Sequence, residues 1–183
     1  TVEQVISTVT RWKQGKENNL AEKYEHHFQP IKKRSPALAE VPSKQNIELA
    51  IGGFVDLTYE SQDLPAFIFG IAVLGKWGGF AGRLMSTVRE KEGLTYGIYA
   101  RAEKMSLDQN GYFRIMTFFS PKDVTKGITS TLREVKKLRD KGLTQTELTN
   151  FRQILKTEDI LAYDSIGKIT AQVHGLLSSG INW

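Results

Sequence analysis

The segment from Val88 to Tyr99, V-R-E-K-E-G-L-T-Y-G-I-Y, decides how the rest of the chain is read. It begins as a charged helix end, turns at Gly93, and becomes a strand rich in aromatics. Arg89 and Tyr96 stand seven positions apart on either side of that turn. Two readings of the pair are open from the residues alone. Arginine at a helix C-terminus is favoured by the helix dipole, and tyrosine suits a strand. Alternatively, Gly93 folds the strand back so that both polar tips reach one spot. There a guanidinium and a phenol can hold a peptide carbonyl or the oxyanion formed from it.

Working outward, the helix ending at this turn places Ala81, Leu84, Met85 and Val88 on its buried face. It follows a glycine-rich break, G-K-W-G-G-F-A-G. Before the break, Asp63 precedes Leu64-Pro65, a good helix start, and A-F-I-F-G-I-A-V-L is apolar all round, which predicts a buried helix too short to span a membrane. Ile47, Leu49 and Ile51 alternate with polar or small residues and predict a half-buried strand reaching Val55. Val2, Val5, Ile6 and Val9 recur at helical spacing. Between these two lies a long polar connection, from about Gly15 to Lys44, that carries Pro30, Pro36 and Pro42.

On the other side, strands are predicted over Thr95–Ala102 and Tyr112–Phe119, joined through D-Q-N-G as a long hairpin. Ser120-Pro121 with Asp123 reads as a capping box with proline at the first helical position. The helix it starts turns Val124, Ile128, Leu132, Val135 and Leu138 one way. After Gly142 a second capping box, Thr144 to Glu147, starts a helix through about Leu161. A last helix, Ser165 to Leu177, carries Ile166, Ile169, Val173 and Leu176 inward. The order is helix, strand, two helices, two strands, then two or three helices. It predicts an α+β fold: a largely antiparallel sheet with helices packed on one face. Both ends read as cut, since the first helix lacks a preceding strand and the chain stops at G-I-N-W.

The 183 residues suit one domain with a sizeable core, and 40% hydrophobic with 25% charged residues is an ordinary globular composition. The absence of cysteine excludes disulfides, thiol nucleophiles and Cys-ligated zinc. A net charge of +5 invites a nucleic-acid reading. Its densest clusters, Lys32 to Arg34 and Arg133 to Lys141, lie in a proline-flanked loop and along a leucine- and valine-bearing helix, and read as solvated faces. The histidines are His26, His27 and His174. No H-E-x-x-H or H-x-x-E-H occurs, so the sequence carries no complete zinc site of its own. Ser178-Ser179-Gly180 lacks a nucleophile-elbow context, and the glycine-rich break lacks the strand and G-K-[ST] of a phosphate cradle.

The run L-G-K-W-G-G-F-A-G-R-L-M-S-T-V-R-E-K-E-G-L-T-Y-G-I-Y-A resembles a segment of the insulinase/pitrilysin-type (inverzincin) zinc peptidases, which include the mitochondrial processing peptidases. Arg83, Leu84, Arg89, Glu90, Lys91, Gly93, Leu94 and Tyr96 match the family pattern in place. G-Y-F-R-I, S-P-K-D and the T-x-x-E-L helix extend the resemblance from about Ile47 onward. It departs at Lys76, Trp77 and Phe80, where relatives often carry small residues or serine.

The resemblance implies that residues 1–183 are a single non-zinc, substrate-binding half-domain, a piece of a longer zinc metallopeptidase. A partner half-domain, on the same or another chain, would hold zinc through H-x-x-E-H. Arg89 and Tyr96 would hold the peptide substrate near that zinc. The chain alone would bind no metal and hydrolyse nothing. The scattered basic residues and the lack of an apolar run of transmembrane length argue, from the residues themselves, for no nucleic-acid partner and no membrane span. The alternative is a non-catalytic scaffold or partner subunit of the same fold.

Overall fold

The computed structural model describes residues 35–76, 78–105, 107 and 110–178, together with Glu3, Gln4, Ser7 and Lys33. Most of the expected first helix and the polar connection, His26, His27, Trp77 and Ser179-Gly180 lie outside the described residues. Glu3, Gln4 and Ser7 are helical.

The sheet has three antiparallel strands in the order β1-β3-β2: β1 (Ile47–Val55), β2 (Ile98–Glu103) and β3 (Gly111–Phe119). Ile47 pairs with Phe119 at one end of the β1–β3 ladder and Val55 with Gly111 at the other; Ile98 pairs with Thr117 across β2–β3. Alternation then sorts the faces. Ile98, Ala100, Ile115, Thr117 and Phe119 are buried beneath helices. Arg101, Glu103, Tyr112 and Arg114 share the opposite face, where Glu103 accepts from the Tyr112 hydroxyl at 2.8 Å and Arg114 Nη2 at 2.9 Å.

Five helices complete the described fold: α1 (Leu64–Gly75), α2 (Met85–Lys91), α3 (Val124–Lys141), α4 (Gln145–Ala162) and α5 (Ile166–Ser178). The α+β class, the antiparallel sheet and the helical layer on one face are as the pattern predicts. The core joins Leu74 of α1, Leu84 just before α2, Met85 and Val88 of α2, and Leu94 to Ile98, Ala100, Ile115 and Phe119 of the sheet.

Four local expectations are corrected. Although apolar all round, α1 is buried chiefly at its end, through Val73, Leu74 and Gly75, while Ile68 is 41% exposed. Ser120-Pro121 does not start α3: Ser120 Oγ donates to Asp123 Oδ2 at 2.6 Å in a turn, Asp123 caps without a side-chain bond, and the helix begins at Val124. The most buried residues of α3 are Gly127, Ser130, Thr131 and Glu134; of the expected stripe, Val124, Val135 and Leu138 pack half-buried against the core, Ile128 is half-buried and Leu132 is exposed. At Gly127 the Phe119 ring lies so close that a Cβ would sit 2.4 Å from it. Finally, Ile166 of α5 is 83% exposed rather than inward, because α5 packs against α4 and away from the sheet.

Candidate functional site

α2 is a π-helix rather than the α-helix its pattern predicts. Its wide turn shows in the bonds that close it: Glu92 N–H donates to Thr87 O and Leu94 N–H to Val88 O, both at 3.0 Å. Gly93 N–H donates to Arg89 O at 3.0 Å, and Gly93 takes φ +63°, the left-handed conformation that ends the helix and turns the chain toward β2. Single π turns inside helices are frequent at functional sites. Here the widened turn carries Arg89.

Both ends of this short helix are tied to neighbours by charge. At its start, Arg83 Nε donates to Glu147 Oε1 at 2.5 Å and Nη2 to Oε2 at 2.7 Å, while Nη2 also reaches Gly142 O at 2.7 Å. Glu147 is also the N3 residue of the α4 capping box, accepting from the Thr144 backbone N–H and hydroxyl. The Arg83 bonds first, then those from Thr144, pull its carboxyl down to about 2 despite partial burial. At the far end, Arg133 of α3 donates to Glu92 Oε1 at 2.5 Å. The Ser130 hydroxyl, then Arg133, holds Glu92 below the ordinary carboxylate range.

The chain entering α2 is fixed by a close crossing. Gly82, at φ +108°, approaches the α1 terminus so tightly that a Cβ would meet Gly75 Cα at 2.9 Å and Val73 O at 3.0 Å. Lys76, near the start of the break, pairs with Glu158 of α4 at 2.6 Å. The loop between carries Phe80 out to 67% exposure.

These constraints bring three side chains together. The Arg89 guanidinium carbon lies 4.9 Å from the Phe80 ring centre and 5.3 Å from that of Tyr96, both cation–π distances. Tyr96 is 74% exposed. Among the described residues no carboxylate or carbonyl accepts from the Arg89 guanidinium, whereas Arg83, Arg101, Arg114, Arg133 and Arg139 all pair with carboxylates. The two residues singled out from sequence therefore meet on the surface. Their contact is ring against guanidinium.

Five contributing residues were not read from the sequence in these roles. Phe80 was visible only as a departure within the glycine-rich break. Arg83 and Glu147 each sat in a motif, but nothing local signals a pairing across 64 positions. The same holds for Glu92 and Arg133, 41 positions apart.

Among the described residues, no group of three His, Cys, Asp or Glu side chains is placed to hold a metal ion, and no helix is long and apolar enough to cross a membrane. Along α3 the basic run is largely paired: Arg133 and Lys137 meet Glu134, and Lys136 and Arg139 meet Asp140.

The family model described as the peptidase M16 inactive domain matches residues 1–155. The chain belongs to this family. An M16 inactive domain is the half that lacks the zinc motif, which agrees with the resemblance seen in the Arg83-to-Tyr96 motif. A curated relative, the non-peptidase homologue YmxG of Helicobacter pylori (strain ATCC 700392 / 26695), is 35% identical over 107 residues, 57% of this chain and 23% of that protein. This chain thus spans about a quarter of that relative. The crystal structure of an M16 inactive domain from Pseudomonas fluorescens superposes with a TM-score of 0.61 at 25% identity, covering 78% of this chain and 36% of that one. The inactive peptidase domain of a putative zinc protease from Bordetella parapertussis shares the fold, with a TM-score of 0.57, 20% identity and coverage of 73% and 71%.

Proposed function

We propose that this chain is the non-catalytic half of a two-part M16 assembly, and that the Arg89–Tyr96 surface faces its partner half-domain. The observation that carries this reading is the Arg89 guanidinium, held between two exposed rings without a carboxylate among the described residues. An exposed arginine with aromatic neighbours has the composition of a binding hot spot. The similarity to a non-peptidase homologue supports a role without hydrolysis of its own.

A second reading is favoured by the 74% exposure of Tyr96. In it the assembly is a working zinc endopeptidase. Zinc, held by the partner half through H-x-x-E-H, would polarise the scissile carbonyl. The Arg89 N–H groups and Tyr96 hydroxyl would donate to the peptide carbonyl oxygen from the opposite side. Donors of this kind gain strength when a closed shell excludes bulk water.

Zinc content and peptide hydrolysis of the full native polypeptide, purified with whatever partner travels with it, separate the two. A non-catalytic assembly contains no stoichiometric zinc and cleaves nothing, yet loses partner affinity in Arg89→Ala. A peptidase contains about one zinc per pair of half-domains. Arg89→Ala or Tyr96→Phe then lowers turnover by ~10²–10³ with zinc retained, the usual loss for one such donor. Partner binding and turnover both untouched by Arg89→Ala would refute both readings.

A further inference from the structure

Phe80 is two-thirds exposed, so burial in the core does not hold it in place. It is nevertheless the ring nearer to Arg89, at 4.9 Å against 5.3 Å for Tyr96. An arginine on a flexible stem samples many rotamers. Two ring contacts from separate segments, the loop before α2 and the turn before β2, restrict that sampling while leaving the N–H edge open to an acceptor. The loop itself is braced by the Gly82–Gly75 crossing and the Lys76–Glu158 pair. Phe80 therefore stands on a fixed support beside a charge, with most of its own surface uncovered.

We propose that Phe80 is a positioning and specificity residue of the Arg89 site. It holds the guanidinium together with Tyr96 and forms an apolar wall, so that the site selects an acceptor oxygen with an apolar side chain beside it. The ligand class is a peptide carboxylate or carbonyl flanked by an aromatic or large aliphatic residue. This rests on the reading that the Arg89 face binds a peptide or partner surface. The positioning role, however, is read in the free chain and stands or falls separately.

The test uses arginine-selective ¹⁵N labelling of the full chain, with the Arg89 Nε–Hε signal assigned through Arg89→Lys. In the free protein, ring currents from Phe80 and Tyr96 displace Arg89 Hε upfield. Phe80→Leu removes part of that displacement without moving backbone signals of the core, and Phe80→Trp keeps it. An unmoved Arg89 signal in Phe80→Leu overturns the positioning role. Titration then uses N-acetyl-phenylalanine and N-acetylglycine, which share a carboxylate and differ in apolar side chain. The first is expected to perturb Arg89 and bind about two- to five-fold more tightly, the size of one exposed cation–aromatic or apolar contact. In Phe80→Leu the ratio falls towards one, and Phe80→Trp restores it. An unchanged ratio in Phe80→Leu, or no perturbation of Arg89 by either probe, overturns the specificity role.

Discussion

Replacing Glu147 by glutamine removes one charge and keeps the shape of the residue that joins α2 to the α4 cap. Glu147 accepts two bonds from Arg83 and two from Thr144, and its carboxyl titrates at about 2 rather than the ordinary 4.5. At 1.36 kcal/mol per pKa unit, this difference corresponds to about 3 kcal/mol. The Glu147 side chain is 22% exposed and that of Arg83 13%, so solvent screening brings the expected loss to about 1–2 kcal/mol. The carboxyl is depressed by folding, so its contribution is fully present above about 4.5 and is lost as pH falls towards about 2. Glu147→Gln therefore unfolds in urea at a midpoint about 0.5–1 M lower at pH 7, for a slope of about 2 kcal/mol/M. The gap between variant and parent closes progressively between pH 4.5 and 2. Urea titrations followed by circular dichroism at pH 7, 4.5, 3.5 and 2.5 measure both effects. A gap of constant size across that range would refute the electrostatic account. Equal midpoints at pH 7 would refute the pairing itself.

Three further outcomes follow from local geometry. Gly93 takes φ +63° with open space around its Cα, so Gly93→Ala costs about 1–2 kcal/mol of backbone strain, and Gly93→Asn costs less because asparagine visits this region more readily; chemical denaturation ranks the two. Gly127→Ala drives a methyl to within 2.4 Å of the Phe119 ring and costs about 1–3 kcal/mol, read in the same experiment. Thr144→Ala removes a hydroxyl that accepts from Glu147 N–H and donates to its carboxylate, for about 1 kcal/mol, with the change in helicity confined to α4 by hydrogen exchange.

Periodicity carried the architecture because most elements here obey it. β1, β2 and β3 alternate, Thr144 to Glu147 form the capping box their spacing predicts, and Asp63 with Leu64-Pro65 begins α1. Pattern failed where a neighbour distant in sequence sets the environment. The inward face of α3 carries the expected Val124, Val135 and Leu138, but its most buried positions are Gly127, Ser130, Thr131 and Glu134; at Gly127 the Phe119 ring occupies the space a side chain would need, and the expected Leu132 is exposed. Glu134 is buried on that same face and is held by Arg133 and Lys137 from its own helix. An apolar-stripe argument cannot see such a pairing.

The site divides in the same way. The proximity of Arg89 and Tyr96 was legible because the turn at Gly93 lies between them in sequence, so local geometry brings them near each other. The features that fix their presentation are non-local. A π-helix is not encoded in any hydrophobic-spacing rule. Here its two ends are held by Arg83 on Glu147 and Glu92 on Arg133, which tie the helix to α4 and α3. Arg83 and Arg133, though they touch neither ring, anchor the helix that carries Arg89. Loss of either pair should displace the Arg89 Nε–Hε signal while the Phe80 ring contact is still intact.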